Sequence, residues 1–195
     1  MIIAAVTAGL IVTFLVGLVA VAGLWFVLAY NGLVALRNEA RNAWAQIDVQ
    51  LKRRHDLIPN LVEAVRGYMR HERETLEAVT RARSIAQHAS GAADISKAEQ
   101  GLSGALRQLF ALAERYPDLK ANQSFLALQE ELASTENRIG FARQFYNDQV
   151  MQLNTRIQTI PTNLVAGMFG FAPMEFFQLS AAEEREAPQV LGTGD

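Results

Sequence analysis

The chain has 195 residues, half of them hydrophobic, and its 18 basic and 20 acidic residues leave a formal net charge of −2. A nearly neutral chain lacks the basic excess with which proteins bind nucleic-acid phosphates, which argues against a nucleic-acid partner. Cysteine is absent, which excludes a disulfide framework and fits a reducing compartment.

The N-terminal stretch predicts a transmembrane helix. Residues 2–30 contain no charged side chain, and the first charge comes at Arg37. As a helix, this stretch would span about 43 Å, more than the roughly 30 Å hydrocarbon core of a bilayer. A cleaved signal peptide is the alternative, but no basic residue precedes the apolar core, and apolar residues continue past residues 20–22, which resemble a cleavage site. We therefore expect residues 1–30 to form a permanent anchor.

Small residues recur at every fourth position of this helix. They are Ala5, Gly9, Thr13 and Gly17. This spacing lets two transmembrane helices approach closely. The stripe therefore predicts self-association of the anchor, and the alternative is that small residues are simply common in membrane spans.

Basic residues near the span predict its orientation. Arg37 and Arg41 follow the span, whereas no Lys or Arg precedes it. Because basic flanks favour the cytoplasmic side, we expect a single-pass protein of the cell membrane. Its N-terminus would lie outside, and the rest of the chain would be cytoplasmic.

The rest of the chain has the pattern of long helices. Ala, Leu, Gln, Glu and Arg dominate, and Val and Ile rarely alternate with polar residues. Apolar residues recur at steps of three and four within residues 33–51, 58–86, 102–113 and 125–160, the last as a coiled-coil-like seam. We therefore predict an all-α fold, with the N-terminal transmembrane helix followed by an antiparallel four-helix bundle over residues 31–177.

A charged run predicts a reversal of the chain within residues 52–60. Basic residues in the last turn of a helix interact favourably with its negative C-terminal end. This run contains three basic residues, Lys52, Arg53 and Arg54. Asp56 can cap a new helix that tolerates Pro59 in its first turn. Nearer the membrane, residues 31–32 either hinge the first helix or let it run straight through.

Similar local signals predict the later boundaries. Ser96 and Glu99 have the spacing of a capping box, which predicts the start of the third helix. Pro161 would end the fourth helix. The aromatic tail, residues 162–177, would either fold over an open end of the bundle or dock a partner. The acidic residues 178–195 are predicted to be disordered.

No catalytic or metal-binding motif is visible. The three histidines, His55, His71 and His88, lack the zinc-helix and Glu-x-x-His di-iron spacings. The chain also has no cysteine, no Gly-x-Ser-x-Gly and no phosphate-binding glycine loop with a lysine. We therefore expect no enzymatic activity, no cofactor and no metal.

Several short runs resemble the LemA family of bacterial membrane proteins. The most specific is WAQIDVQLKRRHDLIPNLV, residues 44–62, and others are residues 30–38, 116–122, 136–139, 145–147 and 169–171. The resemblance covers about residues 30–177. It implies an N-terminal anchor, an antiparallel four-helix bundle and no established enzymatic activity. The resemblance further implies a similarity to magnetosome membrane proteins and genes that often lie near those of membrane proteases.

The chain departs from the family pattern at two places. Leu153-Asn154 stands where the family has a second Tyr-Asn pair, and residues 173–177, PMEFF, replace a Pro-Tyr-Phe-Glu ending. Contacts that the family makes through those tyrosines are therefore not expected in this chain.

These observations predict a scaffold or adaptor that presents its bundle to other membrane or envelope proteins. Two surfaces are predicted to dock partners. The first is the predicted reversal, with Lys52, Arg53, Arg54, Asp56 and Asn60; the second is the aromatic tail, with Phe169 and Phe171. One alternative is a membrane-tethered sensor that binds a small ligand within the bundle. Another is an unrecognised hydrolase that uses a carboxylate such as Asp56 or Glu72.

Overall fold

The computed structural model describes the backbone of residues 2–69 and 71–177, and the side chains of residues 9–69 and 71–177. The helices are α1 (Ile2–Arg66), α2 (Arg73–His88), α3 (Ala92–Ala113), α4 (Pro117–Lys120), α5 (Gln123–Gln158) and α6 (Thr162–Met168). Because these described residues contain no strand, the predicted all-α class is confirmed. The predicted disordered segment, residues 178–195, lies outside the described residues, as does the side chain of Ala5.

The first helix is longer than the sequence predicted. Residues 31–32 are helical, so the hinge does not form there, and Pro59 lies inside α1. The predicted reversal within residues 52–60 is therefore wrong, and the first break comes at residues 67–72. In the part of the chain that the structure describes, α1 is the one helix long and apolar enough to cross a membrane. This property suggests membrane localisation.

A tertiary contact explains why α1 tolerates a proline. Pro59 has no N–H, so the carbonyl of His55, four residues earlier, lacks its helical donor. The Nε of Arg83 on α2 donates to this carbonyl oxygen at 2.7 Å. The guanidinium thus replaces the missing backbone donor, and α1 continues to Arg66.

The chain divides into two compact units. Unit 1 comprises Met1–Asn42 and Asp148–Met174, and unit 2 comprises Ala43–Asn147 and Glu175–Asp195.

Unit 1 has a small core where α6 and the segment after it pack on α1 and α5. Its buried members are Leu33, Leu153, Ile157, Val165, Ala166 and Phe171. Asn154 holds the extended segment after α6, because its side-chain amide accepts a bond from the Met174 N–H and donates one to the Met174 carbonyl, both at 2.9 Å. These two bonds satisfy backbone groups that have no helix or strand partner.

Unit 2 has the larger core, to which α1, α2, α3, α4 and α5 all contribute. Its buried residues are Ile58, Leu61, Val62, Val65, Met69, Val79, Ala86, Leu102, Leu106, Leu109, Ala113, Leu119, Phe125 and Leu132. Phe177, the last residue that the structure describes, is held by the side-chain amide of Asn147. This amide accepts a bond of 2.8 Å from the Phe177 N–H and donates one of 3.0 Å to the Phe177 carbonyl.

The boundaries of α3 and α5 depend on one residue each. Gly91 precedes α3 with a φ of 85°, a conformation that glycine adopts without steric cost. The predicted capping box at Ser96 is wrong, because both Ser96 and Glu99 lie buried within α3. The start of α5 is capped by Asn122, whose Oδ1 accepts a bond of 3.1 Å from the Phe125 N–H.

We predict that Arg83 and Pro59 are energetically coupled. Arg83→Met should destabilise the protein by about 2 kcal/mol, because it removes a charged donor from a carbonyl that has no helical donor. In a Pro59→Ala background the restored N–H can bind that carbonyl, so the same change should cost less than about 1 kcal/mol. Chemical unfolding of the detergent-solubilised chain, followed by circular dichroism, measures both.

The matched control is Arg73→Met, since Arg73 is exposed and pairs with Glu77 within α2. It should change stability little in either background. Equal costs of Arg83→Met with and without Pro59 would contradict the proposed coupling.

Candidate functional site

A cluster of polar side chains joins three helices inside unit 2. Arg54 and His55 come from α1, Glu99 and Ser103 from α3, and Glu136 from α5. Arg54 is 3% exposed and Glu99 is 4% exposed. Arg and Glu are almost never fully buried without partners, so these contacts explain how the core accommodates them.

Arg54 is the centre of the cluster. Its Nη1 lies 2.8 Å from a Glu136 carboxylate oxygen and 3.3 Å from Oε2 of Glu99. Its Nη2 donates to the Ser103 hydroxyl at 2.8 Å. The planar guanidinium directs its donors to fixed positions, and here they reach two other helices.

His55 completes the cluster from the same helix. Its Nε2 lies 2.6 Å from Oε1 of Glu99. Glu99 is therefore in contact with both Arg54 and His55.

The cluster is chemically suited to fixing how the helices pack. Its groups bind one another, and a slip of one helix would leave a buried charge unpaired, which costs several kcal/mol. Among the residues that the structure describes, no group of three His, Asp or Glu side chains is placed to hold a metal ion.

A cavity of about 750 Å³ lies beside the cluster. Arg54, Glu99 and Glu136 form part of its wall, together with Phe110 and Phe177. The other lining residues are Gln100, Ser103, Leu106, Arg107, Gln129, Leu132, Ala133, Ile139 and Arg143. Ligand pockets usually measure about 300–1,000 Å³ and combine apolar walls with a few polar groups, so the volume and the lining suit a small organic molecule.

Arg143 adds an unsatisfied donor to this wall. Its guanidinium carbon lies 5.7 Å from the centre of the Phe177 ring. Its Nε is buried and has no hydrogen-bond partner in the described chain. An anionic group in the cavity would satisfy such a donor.

A second, shallower groove of about 510 Å³ lies between α1 and α5 in unit 2. Three exposed apolar side chains line it, Val49, Phe141 and Phe145, and Phe141 is 74% exposed. The buried Oε1 of Gln50, also in the lining, has no donor among the described residues. Aromatic side chains this exposed are typical of binding surfaces.

The predicted docking residues do not form one surface. Lys52 and Asp56 are exposed and paired at 2.7 Å, and this hydrogen bond lowers the pKa of the Asp56 carboxyl. Arg53 pairs with Glu131 at 2.7 Å. Asn60 is exposed, whereas Arg54 is buried in the cluster. Partner docking by the residues of this surface stays a prediction.

The two aromatic residues that are predicted to dock a partner differ in their exposure within unit 1. Phe171 is 8% exposed and lies under the guanidinium of Arg37, 4.9 Å from its carbon. Phe169 is half exposed and contacts the rings of Phe26 and Tyr30. Phe171 is therefore part of the core of unit 1, and docking through Phe169 and Phe171 stays a prediction.

The carboxylates considered for a hydrolase lie away from the cavity wall. Asp56 pairs with Lys52, and Glu72 accepts a bond of 3.0 Å from the Tyr116 hydroxyl. This bond raises the pKa of Tyr116. Neither carboxylate lines the cavity.

The small-residue stripe of the anchor presents an open surface. A Cβ added at Gly9 or Gly17 would meet nothing within 4 Å. The Thr13 hydroxyl donates to the Gly9 carbonyl at 3.0 Å within its own helix. Self-association through this stripe stays a prediction.

Sequence reasoning missed the residues that matter most in unit 2. The sequence predicts Glu99 as a helix cap and places Glu136 in a run typical of the family, residues 136–139, but it assigns no role to Ser103 and no contact to Glu136. A signal was present, because Glu99 and Ser103 follow Ser96 at helical spacing and share the apolar face of α3. Phe145 lies in a run typical of the family, residues 145–147, whereas the exposed ring of Phe141 gave no signal, since it interrupts no periodic pattern.

Comparisons with known proteins give consistent matches. The sequence model of the LemA family matches residues 43–191. A protein named LemA from Metamycoplasma hominis is 31% identical, over 78% of this chain and 70% of its own length. Magnetosome protein MamQ 2 of Paramagnetospirillum magneticum is 23% identical, over 76% and 64% respectively. Magnetosome protein MamQ of Magnetospirillum gryphiswaldense is 22% identical, over 83% and 70%.

We predict that Glu99→Gln destabilises the protein by about 3 kcal/mol, because it leaves the buried Arg54 with Glu136 as its remaining carboxylate. The matched control is Glu131→Gln, which breaks the half-exposed pair with Arg53 and should cost less than about 1 kcal/mol. Chemical unfolding of both variants gives the difference. Equal costs would show that the buried cluster does not stabilise the arrangement of the helices.

Proposed function

The chain belongs to the LemA family, and from this premise we propose that it is a single-pass membrane protein that acts as a non-enzymatic scaffold or adaptor. In this proposal its helical part is presented to other membrane or envelope proteins. The LemA and MamQ relatives, together with the apolar end of α1, suggest a membrane-associated helical protein. The scaffold role is our own inference and rests on unit 2.

We propose that unit 2 is an antiparallel four-helix bundle built from α1, α2, α3 and α5, with a coiled-coil-like seam on α5. Support comes from the single core to which these helices contribute, and from the direct packing of α2 on α3. The Arg54 cluster supports the same arrangement, because it joins α1, α3 and α5. A framework held by buried charges is rigid, and rigidity lowers the entropy cost of binding a partner.

The observation that carries the scaffold proposal is the groove of Val49, Phe141 and Phe145. Its exposed rings suit a partner helix that lays an apolar face into a groove. The unsatisfied Gln50 Oε1 in the lining can accept a bond from a polar side chain of that partner. We therefore propose that the occupant is an amphipathic helix of another envelope protein.

For the topology we propose an N-terminus outside and unit 2 in the cytoplasm. The support is the pair Arg37 and Arg41 after the span. Labelling of an Ile85→Cys variant in intact cells by a membrane-impermeant thiol reagent would contradict this orientation.

Photo-crosslinking in native membranes tests the scaffold proposal. A benzophenone side chain is placed at Phe141 or Phe145, and as a matched control at Ile85, which is exposed on α2 and does not line the groove. We expect a discrete product from the groove positions and none from Ile85. That product should disappear when Phe141→Asp is combined with the probe at Phe145, because a charge opposes burial of the groove.

Other results would contradict the proposal in distinct ways. A product of twice the mass of the chain would identify a second copy as the occupant of the groove. Equal, diffuse products from all three positions would mean that the groove has no specific partner.

The cavity beside the Arg54 cluster favours a second function, in which the protein is a membrane-tethered sensor. We propose that it binds an organic anion with an aromatic body. The support is the combination of Arg143, whose Nε lacks a partner in the described chain, with the Phe110 and Phe177 rings in a wall of suitable volume. Anion binding would add a partner for the guanidinium while the rings cover the apolar body.

Thermal unfolding tests this second function. Saturating naphthoate should raise the melting temperature by about 5 °C, whereas the neutral naphthamide should not. Ala133→Trp should abolish the shift by filling the cavity, because Ala133 lines it. The control Ala127→Trp, on the exposed part of the same helix, should keep the shift. No anion-specific shift, or an equal shift in both variants, would exclude the sensor.

A further inference from the structure

The region around α6 exposes an unusual amount of apolar surface. No charged residue occurs from 157 to 174. Ile160 is 79% exposed, Leu164 is 65% exposed and Met168 is 72% exposed, and the half-exposed Phe169 follows them. We call these four residues the α6 surface. Several large apolar side chains side by side on a surface indicate a contact with another molecule or with a membrane.

The other face of α6 holds it firmly in unit 1. Val165 and Ala166 are buried in the core of unit 1 with Leu33 of α1. The α6 helix therefore has apolar residues both on the face that packs on the protein and on the face that points away from it. Its outer face is exposed although its position is fixed by packing.

The α6 surface is attached at the end of the predicted span. The ring of Phe169 lies 4.7 Å from the ring of Tyr30 and 5.8 Å from that of Phe26. Both partners belong to the last turns of the uncharged stretch of α1, where aromatic residues usually mark the membrane interface. One turn of α1 separates them, about 6 Å along its axis. This matches the depth of roughly 5–10 Å to which interfacial helices are buried.

From this placement we infer that the α6 surface is a second membrane contact, inserted at the interface of the same leaflet from which α1 emerges. The inference rests on the proposed membrane anchor. The occupant of the surface is lipid, because Phe169 contacts the end of the predicted span and residues 157–174 carry no charge with which to form the polar rim of a protein interface. Leu164 and Met168 point into the acyl boundary, and Arg37, stacked on Phe171, lies at headgroup level.

This contact has a mechanical consequence for unit 1. A single membrane helix leaves the attached protein free to tilt, whereas a second contact restrains its orientation. The core of unit 1 connects both contacts, because α6 packs on α1. Unit 1 therefore contacts the bilayer at two places, the span of α1 and the α6 surface.

Site-specific fluorescence of the full-length chain in liposomes tests this inference. The chain has no cysteine, so Leu164→Cys and Met168→Cys each provide a unique site for an environment-sensitive nitrobenzoxadiazole label. Two further variants are needed: Val19→Cys, exposed on the apolar end of α1, reports the anchor, and Ile85→Cys, exposed on α2, reports water. The vesicles contain phosphatidylcholine and phosphatidylglycerol, without a quencher, with lipids that carry a doxyl group near the headgroup end of the acyl chain, or with lipids that carry it near the methyl end, which reaches the label at 19.

We expect the labels at 164 and 168 to emit at shorter wavelength than the label at 85, and to be quenched severalfold more strongly by the shallow doxyl lipid. If both behave like the label at 85 while the label at 19 is quenched, the anchor stands and the second contact is refuted. A blue shift without lipid quenching would identify a protein, including a second copy, as the occupant and would also refute it. An unquenched label at 19 would overturn the anchor itself, and the inference with it.

Discussion

The arrangement of unit 2 depends on the buried charge of Arg54. A guanidinium that is 3% exposed requires acceptors in fixed places, and these are supplied by Glu99 and Ser103 of α3 and by Glu136 of α5. The close-packed apolar core resists a shift of helix register. The buried charge adds to this resistance, because a slip would leave the guanidinium without its partners. The cluster therefore favours one packing of the helices.

The neighbouring residue couples the same region to α2. Pro59 leaves the His55 carbonyl without its helical donor, and Arg83 replaces it. The His55 ring meanwhile binds Glu99. One residue thus uses its backbone toward α2 and its side chain toward α3. Pro59, which would normally mark the end of a helix, thus frees a carbonyl that Arg83 binds, and this bond helps to position α2 against α1.

Unit 1 follows a different principle, in which apolar contacts and backbone bonds replace buried charge. Asn154 holds the chain after α6 by both groups of its amide, and aromatic rings attach α6 to the last turns of the uncharged stretch of α1. The apolar residues left exposed on α6 would be unfavourable in water. They are reasonable for a surface that meets lipid, which is why the membrane proposal and the packing of unit 1 support each other.

Residues close together along the chain were sufficient to predict the elements whose signals are local. The long stretch without charged residues predicted the apolar end of α1. The recurrence of apolar residues at steps of three and four predicted an all-α chain, and Pro161 predicted the end of α5. These succeed because a helix depends on residues within a few positions of one another. The family, too, was recognisable from short runs such as residues 44–62.

Where α1 ends and what Glu99 binds depend instead on contacts between helices. By local rules Pro59 and Asp56 predict a reversal, and Ser96 with Glu99 predicts a cap. Both predictions failed for one physical reason: the deciding partners, Arg83 for the His55 carbonyl and Arg54 for Glu99, are distant in sequence. Hydrogen bonds between helices satisfied groups that, within one helix, would have been orphaned.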